Sequence, residues 1–210
     1  MITPAFIFTI FMLTLGPIKT VPAFFAMTRD EAPAAARALA LKGATAATAI
    51  SLVIALVMTS VAARWRISAD DLRIAGGILL FVAARETIGQ LSRPAPSPPA
   101  PPPSAPPPRH PAVTPLAIPI IVTPWGVTAI LFFSELASGD QQMLAAVVAM
   151  LLLIMVLNLI GMLLARQIIA CVGIISFQVL GWIFAVLQAG LAVDAVITSV
   201  RNLAVIRPIA

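Results

Sequence analysis

The sequence predicts an all-α membrane protein with six transmembrane helices in two inverted three-helix repeats, the first helix of each repeat being broken by proline. Composition is the first reason, because 60% of the 210 residues are hydrophobic and 10% are charged, with a mean hydropathy of +1.06. Soluble domains carry roughly 25% charged residues, so this chain cannot cover a globule with polar surface. The lengths of the apolar runs and the likeness between the two halves are the other reasons.

Six apolar runs are long enough to be membrane spans, which need about 20 residues each. They lie at residues 4–27, 39–63, 72–91, 113–136, 143–165 and 177–200. No Lys or Arg precedes the first run and no small-residue cleavage pattern closes it, so it is predicted to be a span rather than a signal peptide. The third run is the weakest by hydropathy, because Arg73, Arg85 and Glu86 lie near its ends.

A proline-rich segment, RPAPSPPAPPPSAPPPRH at residues 93–110, separates the third run from the fourth. Proline fixes φ and lacks an N–H, so the segment is predicted to be a solvated polyproline II tether. A docking motif for a proline-recognising partner is the alternative. The only histidine, His110, ends the segment and does not by itself predict a metal site. The chain therefore divides into a first repeat at 1–92, a linker at 93–112 and a second repeat at 113–210.

The two halves resemble each other in the same order along the chain. Pro17 in LGPIKTVPAFF corresponds to Pro124 in VTPWGVTAILFF, and the SVAAR that ends at Arg64 corresponds to the MLLAR that ends at Arg166. RIAGGILLFVAA likewise resembles QVLGWIFAVLQA. Because three spans is an odd number, the second half enters the membrane from the opposite face, which makes the repeat inverted.

The first span of each half is broken by proline. Pro17 and Pro22 free backbone carbonyls one turn back, and Pro115, Pro119 and Pro124 do the same in the fourth span. Unpaired backbone is not tolerated against lipid, so these breaks are predicted to face protein or a water-filled cavity. Paired breaks in inverted repeats indicate a transporter's binding site, whereas kinks between closely packed helices are the alternative. The predicted substrate-binding residues are Gly16, Pro17, Lys19, Thr20, Thr123, Pro124, Trp125 and Gly126.

Small residues four apart in the second span predict close helix packing. Gly43, Ala47 and Ser51 share one face, and a parallel row begins at Ala40 and Ala44. Such faces let two helix backbones approach each other, and we assign them no chemistry.

Three stretches of the chain carry a family resemblance, GPIKTVPAFFAMT at 16–28, DDLRIAGGILLFVAARETI at 70–88 and PLAIPIIVTPWGVTAI at 115–130. Through them the chain resembles the MarC family of bacterial inner-membrane proteins, and this resemblance covers most of the chain outside the proline-rich segment. It implies six spans, two inverted three-helix repeats and kinship with the lysine-exporter superfamily, but it supplies no substrate.

The chain departs from the MarC pattern at both breaks. The family's first break usually reads Asn (or Asp)-Pro-Ile-Gly-Asn-Ile-Pro, where this chain has Gly16, Lys19 and Thr20 at the first, fourth and fifth positions. The second break usually reads Gly-Pro-Gly-Ala, where this chain has Thr-Pro-Trp-Gly, with Trp125 at the third position. The prolines are kept and the surrounding side chains differ.

Lys19 and Trp125 are the most unusual residues of the two breaks. A cation near the bilayer centre costs at least about 2.5–3.5 kcal/mol, so we expect Lys19 to form a charge pair with Glu86 inside the bundle, with snorkelling to the interface as the alternative. We expect Trp125 to line or plug a cavity between the repeats, since it lies about 12 residues into its span. An interfacial position is the alternative for this tryptophan.

Basic residues near the span ends predict the orientation. The face that holds both termini has five, Arg64, Arg66, Arg73, Arg201 and Arg207. The other face has seven, Arg29, Arg37, Lys42, Arg85, Arg93, Arg109 and Arg166. The excess predicts that both termini lie outside the cytoplasm and that the linker lies inside it.

The preferred function is a secondary transporter or exporter of an unidentified small solute in the bacterial inner membrane. A non-transporting scaffold or assembly partner that uses the proline-rich linker is the alternative. An enzyme is not predicted, because the spans carry no His/Asp/Glu cluster, Ser-His pair or HExxH motif. The sequence predicts no cofactor, no metal and no nucleic acid, and its expected partners are the lipid bilayer and the solute. A homo-oligomer is compatible with it, and the single cysteine, Cys171, excludes an intramolecular disulfide.

Overall fold

Helices make up nearly all of the chain that the computed structural model describes, which is residues 3–64, 68–91, 112–137 and 139–206. This agrees with the predicted all-α class, since a helix satisfies its backbone polar groups within one segment of a membrane. The helices are α1 (Pro4–Leu15), α2 (Pro17–Thr28), α3 (Pro33–Arg64), α4 (Ala69–Leu91), α5 (Pro124–Leu136), α6 (Gln141–Leu163), α7 (Ala165–Val172) and α8 (Ile174–Ile206). An irregular helical segment, Ala112–Ile121, precedes α5.

Prolines mark where several of these helices begin. Pro4, Pro17, Pro33 and Pro124 each occupy the first position of a helix, where the missing N–H costs nothing and the fixed φ is already helical. Between α1 and α2, Gly16 has an extended backbone, with φ −73° and ψ 168°. The break predicted in the first span is therefore present at Gly16.

Prolines also distort the segment Ala112–Ile121. Thr114 and Ile118 leave helical geometry, with φ/ψ of −129°/118° and −130°/126°. Each directly precedes a proline, and a residue before proline is disfavoured in the α region. The segment and α5 meet at a bend of 65°. The fourth predicted span is therefore also broken.

Four described helical stretches are long and apolar enough to cross a membrane, or five if the bent pair Ala112–Ile121 and Pro124–Leu136 is one span. The four are Pro4–Thr28, Pro33–Val57, Gln141–Leu163 and Ile175–Leu203. Together with the bent pair, they overlap five of the six predicted spans. The remaining one, α4, carries Asp70, Asp71 and Arg73 at one end and Arg85 and Glu86 at the other, which lowers its hydropathy. Six spans and an inverted repeat stay predictions.

Close helix packing depends on the small residues that the sequence singled out. Ala40, Ala44, Ala47 and Ser51 are buried on α3, which confirms the predicted packing face. That helix packs on Ala112–Ile121, α5 and α6.

The helix α4 lies along α8 in the most extensive helix pair of the structure. At Gly77 a Cβ atom would lie 2.8 Å from the Ala192 carbonyl oxygen and 2.7 Å from Val196 Cγ2. Such distances allow no side chain, so the glycine permits this close approach.

The interior and the outer surface are both apolar. Phe11 and Phe133 are fully buried and meet edge to face, with ring centroids 5.4 Å apart. Large apolar side chains such as Val53, Ile78 and Val186 are instead 56%, 56% and 63% exposed. An apolar exterior of this extent fits lipid rather than water.

The proline-rich linker lies outside the described residues, together with His110. So do Arg66, Arg93, Arg109 and Arg207, on which part of the predicted orientation depends. The predicted tether and the division of the chain at 93–112 therefore stay predictions.

Candidate functional site

The two helix breaks lie against each other. Thr123 caps the start of α5 by accepting a hydrogen bond from the Gly126 N–H at 3.1 Å. Its hydroxyl also donates to the Thr14 carbonyl at the end of α1, at 3.0 Å. A side chain at Gly126 would collide with Leu15, so glycine lets the two breaks touch.

Protein donors occupy two of the carbonyls at the end of α1. The Thr14 carbonyl accepts from Thr123, and the Leu15 carbonyl accepts from Asn158 Nδ2 at 2.7 Å. Asn158 is fully buried and reaches the break from α6, where it also donates to the Ile154 carbonyl. Both carbonyl oxygens therefore already accept a hydrogen bond within the protein, the first across the contact between breaks and the second from α6.

Two cavities lie on either side of this contact. The termini-side cavity has a volume of about 110 Å³ and is lined by residues that include Phe6, Arg73 and Asp194. The linker-side cavity, of about 310 Å³, is lined by residues that include Lys19 and Gln188. Residues 72–80 of α4 and 191–198 of α8 line the first, whereas residues 83–87 and 177–188 of the same helices line the second. The cavities therefore follow one another along the helix axes.

Trp125 lines both cavities. It is half-buried, and its Nε1 is buried with no hydrogen-bond partner in the described part of the chain. An interior position agrees with the expectation from its depth in the span. Because one side chain borders both spaces, Trp125 lies where a barrier between them would have to be.

The ammonium of Lys19 contacts an amide side chain and the face of an aromatic ring. Its Nζ donates to Gln188 Oε1 at 3.2 Å and lies 5.1 Å from the centre of the Trp125 ring. Gln188 is 1% exposed, and its Nε2 donates to the Leu80 carbonyl at 3.2 Å. The second bond fixes Gln188, so that its oxygen faces the lysine.

A model of the MarC family, described as MarC family integral membrane protein, matches residues 3–204. The chain belongs to the MarC family. The match covers both breaks and every residue that lines the two cavities, and it confirms the resemblance seen in the sequence. It also identifies the chain as an integral, multi-pass membrane protein. The chain matches no curated protein and no solved structure.

Lys19 and Trp125 are the two residues that the sequence comparison with the MarC pattern singled out as departures at the breaks. The structure brings these two departures into one cation–π contact.

The expected pair between Lys19 and Glu86 is not a direct contact in the structure. Among the described residues, the ion pairs within 4.0 Å are Arg29–Asp30 and Arg73–Asp70. Glu86 lines the same cavity as Lys19 but is exposed, whereas Gln188 and Trp125 surround the ammonium. Lys19 is therefore in direct contact with uncharged neighbours. A coupling between the charges of Lys19 and Glu86 across the cavity stays a prediction.

The other predicted site residues line neither of these two cavities. Pro17 packs against Gly161 of α6, and a Cβ at that glycine would lie 3.1 Å from Pro17 Cβ. Thr20 is buried, and its hydroxyl has no hydrogen-bond partner among the described residues. Pro124 and Gly126 begin α5. Among the eight predicted residues, Lys19 and Trp125 therefore have the clearest access to a solute.

Sequence reasoning missed Asn158 and Gln188. Each is a single amide within a long apolar run, MVLNLIG for the first and AVLQAGL for the second. A polar side chain in such a run usually faces the bundle interior, so this signal was available.

Proposed function

We propose that the protein is a secondary transporter that moves a small solute between the two cavities, with Trp125 as the barrier. The observation that carries the proposal is that Trp125 lines both cavities, which follow one another along α4 and α8. Broken helices that meet at a central site are typical of transporters that alternate between two openings.

The helix pairing supports an inverted repeat in which α4 is the third span. The broken first spans touch through α1 and α5, the second spans touch through α3 and α6, and the third spans touch through α4 and α8. A two-fold axis between the halves would produce this like-with-like pairing. Rocking one repeat against the other would then open one cavity while closing the other.

The predicted orientation makes the protein an exporter in the bacterial inner membrane. The linker-side cavity is the larger one and holds Lys19. If the linker is cytoplasmic, as the excess of basic residues predicts, this cavity receives solute from the cytoplasm. The proposal assigns the chain no catalytic reaction and no cofactor. The scaffold alternative depends on the linker, which lies outside the described residues.

Trp125→Gly tests the proposal in proteoliposomes. The vesicles are loaded in parallel with a monocarboxylate, a zwitterion, an organic cation and a neutral polyol, and the efflux of each is followed. Removing the indole joins the two cavities, so efflux of at least one solute class should rise severalfold over the wild type.

Trp182→Gly is the matched control, because Trp182 lies on the outside of α8 and is 41% exposed. It should leave every flux unchanged. Equal fluxes for the wild type and Trp125→Gly, in all four solute classes and with both proteins folded, would overturn the transporter proposal.

A further inference from the structure

The linker-side cavity contains a cation, Lys19, that touches no carboxylate of the described residues. In the described part of the chain, Gln188 is the one hydrogen-bond acceptor of Lys19 Nζ, and no acidic oxygen lies within 4.0 Å of it. An ammonium has three donors, so two remain for a ligand. An uncompensated positive charge in a water-poor interior attracts an anion much more strongly than the same charge at the surface.

Two further features increase the positive potential at this point. Lys19 is the third residue of α2, whose N-terminal end at Gly16 has no side-chain cap. The partial positive charge of that helix end therefore adds to the charge of the ammonium. Beside them, Trp125 Nε1 is a buried donor that has no acceptor among the described residues.

Most of the remaining wall of the cavity is apolar. Met12, Ile18, Phe177 and Phe184 line it, and its volume of about 310 Å³ is at the lower end of the range for small-molecule sites. A short hydrocarbon chain or a ring fits such a wall.

Glu86 restricts the charge of the ligand. It lines the same cavity but is exposed, so it remains hydrated, whereas Lys19 is partly buried against Gln188 and Trp125. The single positive charge of Lys19 can balance one negative charge on the ligand. A dianion would bring a second charge with no partner, at a desolvation cost, and Glu86 would repel it.

We infer that the linker-side cavity binds a small organic monocarboxylate, with the carboxylate on Lys19 and the hydrocarbon part on the apolar wall. The inference rests on the proposed function only in that it makes this anion the transported solute, because binding can be measured without transport.

Calorimetry on the protein in nanodiscs tests the inference with a series of five-carbon ligands. The ligands are pentanoate, pentylammonium, pentanamide, 2-aminopentanoate and glutarate, and empty nanodiscs give the baseline. Pentanoate should bind saturably and at least tenfold more tightly than each of the others. Equal binding of pentanoate and pentanamide, or tighter binding of the cation, the zwitterion or the dianion, would overturn the inference.

Variants then test the assignment to Lys19. Lys19→Met should weaken pentanoate binding at least tenfold, whereas Lys42→Met, which removes an exposed lysine of α3, should not change it. Lys19→Arg keeps the charge and should retain most of the binding. If Lys19→Met does not fold, the ligand series and Lys19→Arg still test whether the cavity binds a monocarboxylate through Lys19. Unchanged pentanoate binding in a folded Lys19→Met protein would contradict the assignment.

The outcomes separate this inference from the proposed function. Pentanoate that binds through Lys19 without any flux in proteoliposomes would support the anion site and contradict transport. Flux of a neutral or cationic solute, together with no binding of pentanoate, would support transport and contradict the anion site.

Discussion

Lys19 illustrates how this chain accommodates a charge inside a membrane through direct contacts with uncharged side chains. An ammonium near the bilayer centre costs about 2.5–3.5 kcal/mol on insertion scales. Gln188 offsets part of this through one hydrogen bond, and the Trp125 ring offsets more, since a desolvated cation–π contact contributes up to about 2 kcal/mol. Because both partners are neutral, the positive charge remains available to a ligand.

Replacing Gln188 with leucine should therefore destabilise the protein through Lys19. A hydrogen bond to a charged group contributes about 1.5–3 kcal/mol, so the free energy of unfolding should fall by about that amount. Titration with SDS in mixed micelles measures it. The loss should be smaller in a Lys19→Met background, where no ammonium needs the amide.

Glu86→Gln gives the comparison with the charge pair that the sequence suggested. Because Glu86 is exposed and makes no direct ion pair with Lys19, Glu86→Gln should change the free energy of unfolding by no more than about 0.5 kcal/mol. A large loss for Glu86→Gln that disappears in the Lys19→Met background would show that Glu86, and not Gln188, stabilises the lysine.

At the scale of the helix, the pair α4 and α8 depends on a glycine that lets two backbones approach. Gly77→Ala would place a methyl group against the Ala192 carbonyl and Val196, at 2.8 and 2.7 Å. Overpacking of this kind costs about 1–3 kcal/mol. The same SDS titration should show that loss.

Gly89 provides a control in the same helix. A Cβ at Gly89 meets no atom within 4 Å, so Gly89→Ala adds a better helix former without a clash. The free energy of unfolding of the Gly89→Ala protein should equal that of the wild type or be slightly higher. If the two variants behave alike, then α4 and α8 do not pack at the distance that the structure gives.

Local features of the helices could be predicted from the sequence, and contacts across the fold could not. Proline acts on its own turn, so the breaks at Pro17 and Pro124 follow from the sequence alone. The bond from Asn158 to the Leu15 carbonyl joins residues that are far apart in the chain. Lys19 pairs with Gln188 rather than Glu86 because α8 approaches α2 at that point, which no local pattern encodes.

The short helix α7 was not predicted either. It lies between α6 and α8, in a stretch that the apolar runs left unassigned. Arg166 at its start donates to the Thr28 carbonyl at 2.9 Å and to the Glu31 carbonyl at 2.6 Å. These bonds hold α7 at the end of α2, a tertiary contact that hydropathy does not indicate.

At the scale of the whole molecule, the position of α7 makes Cys171 a probe of orientation. Arg166 holds α7 beside the loop that joins α2 to α3, so both lie on the face away from the N-terminus. The proposed crossing of α4 brings the linker to this same face. Cys171 is exposed and is the only cysteine of the chain, so the unmodified protein carries one thiol for the measurement.

If the linker face is cytoplasmic, a membrane-impermeant thiol reagent should leave Cys171 unlabelled in intact spheroplasts and label it in inside-out vesicles. Thr3→Cys in a Cys171→Ser background should show the reverse, because Thr3 lies beside the N-terminus at the start of α1. Labelling of Cys171 from outside, together with protection at position 3, would show that the orientation is the reverse of the predicted one. The Lys19 cavity would then receive its solute from outside the cell, and uptake would replace export.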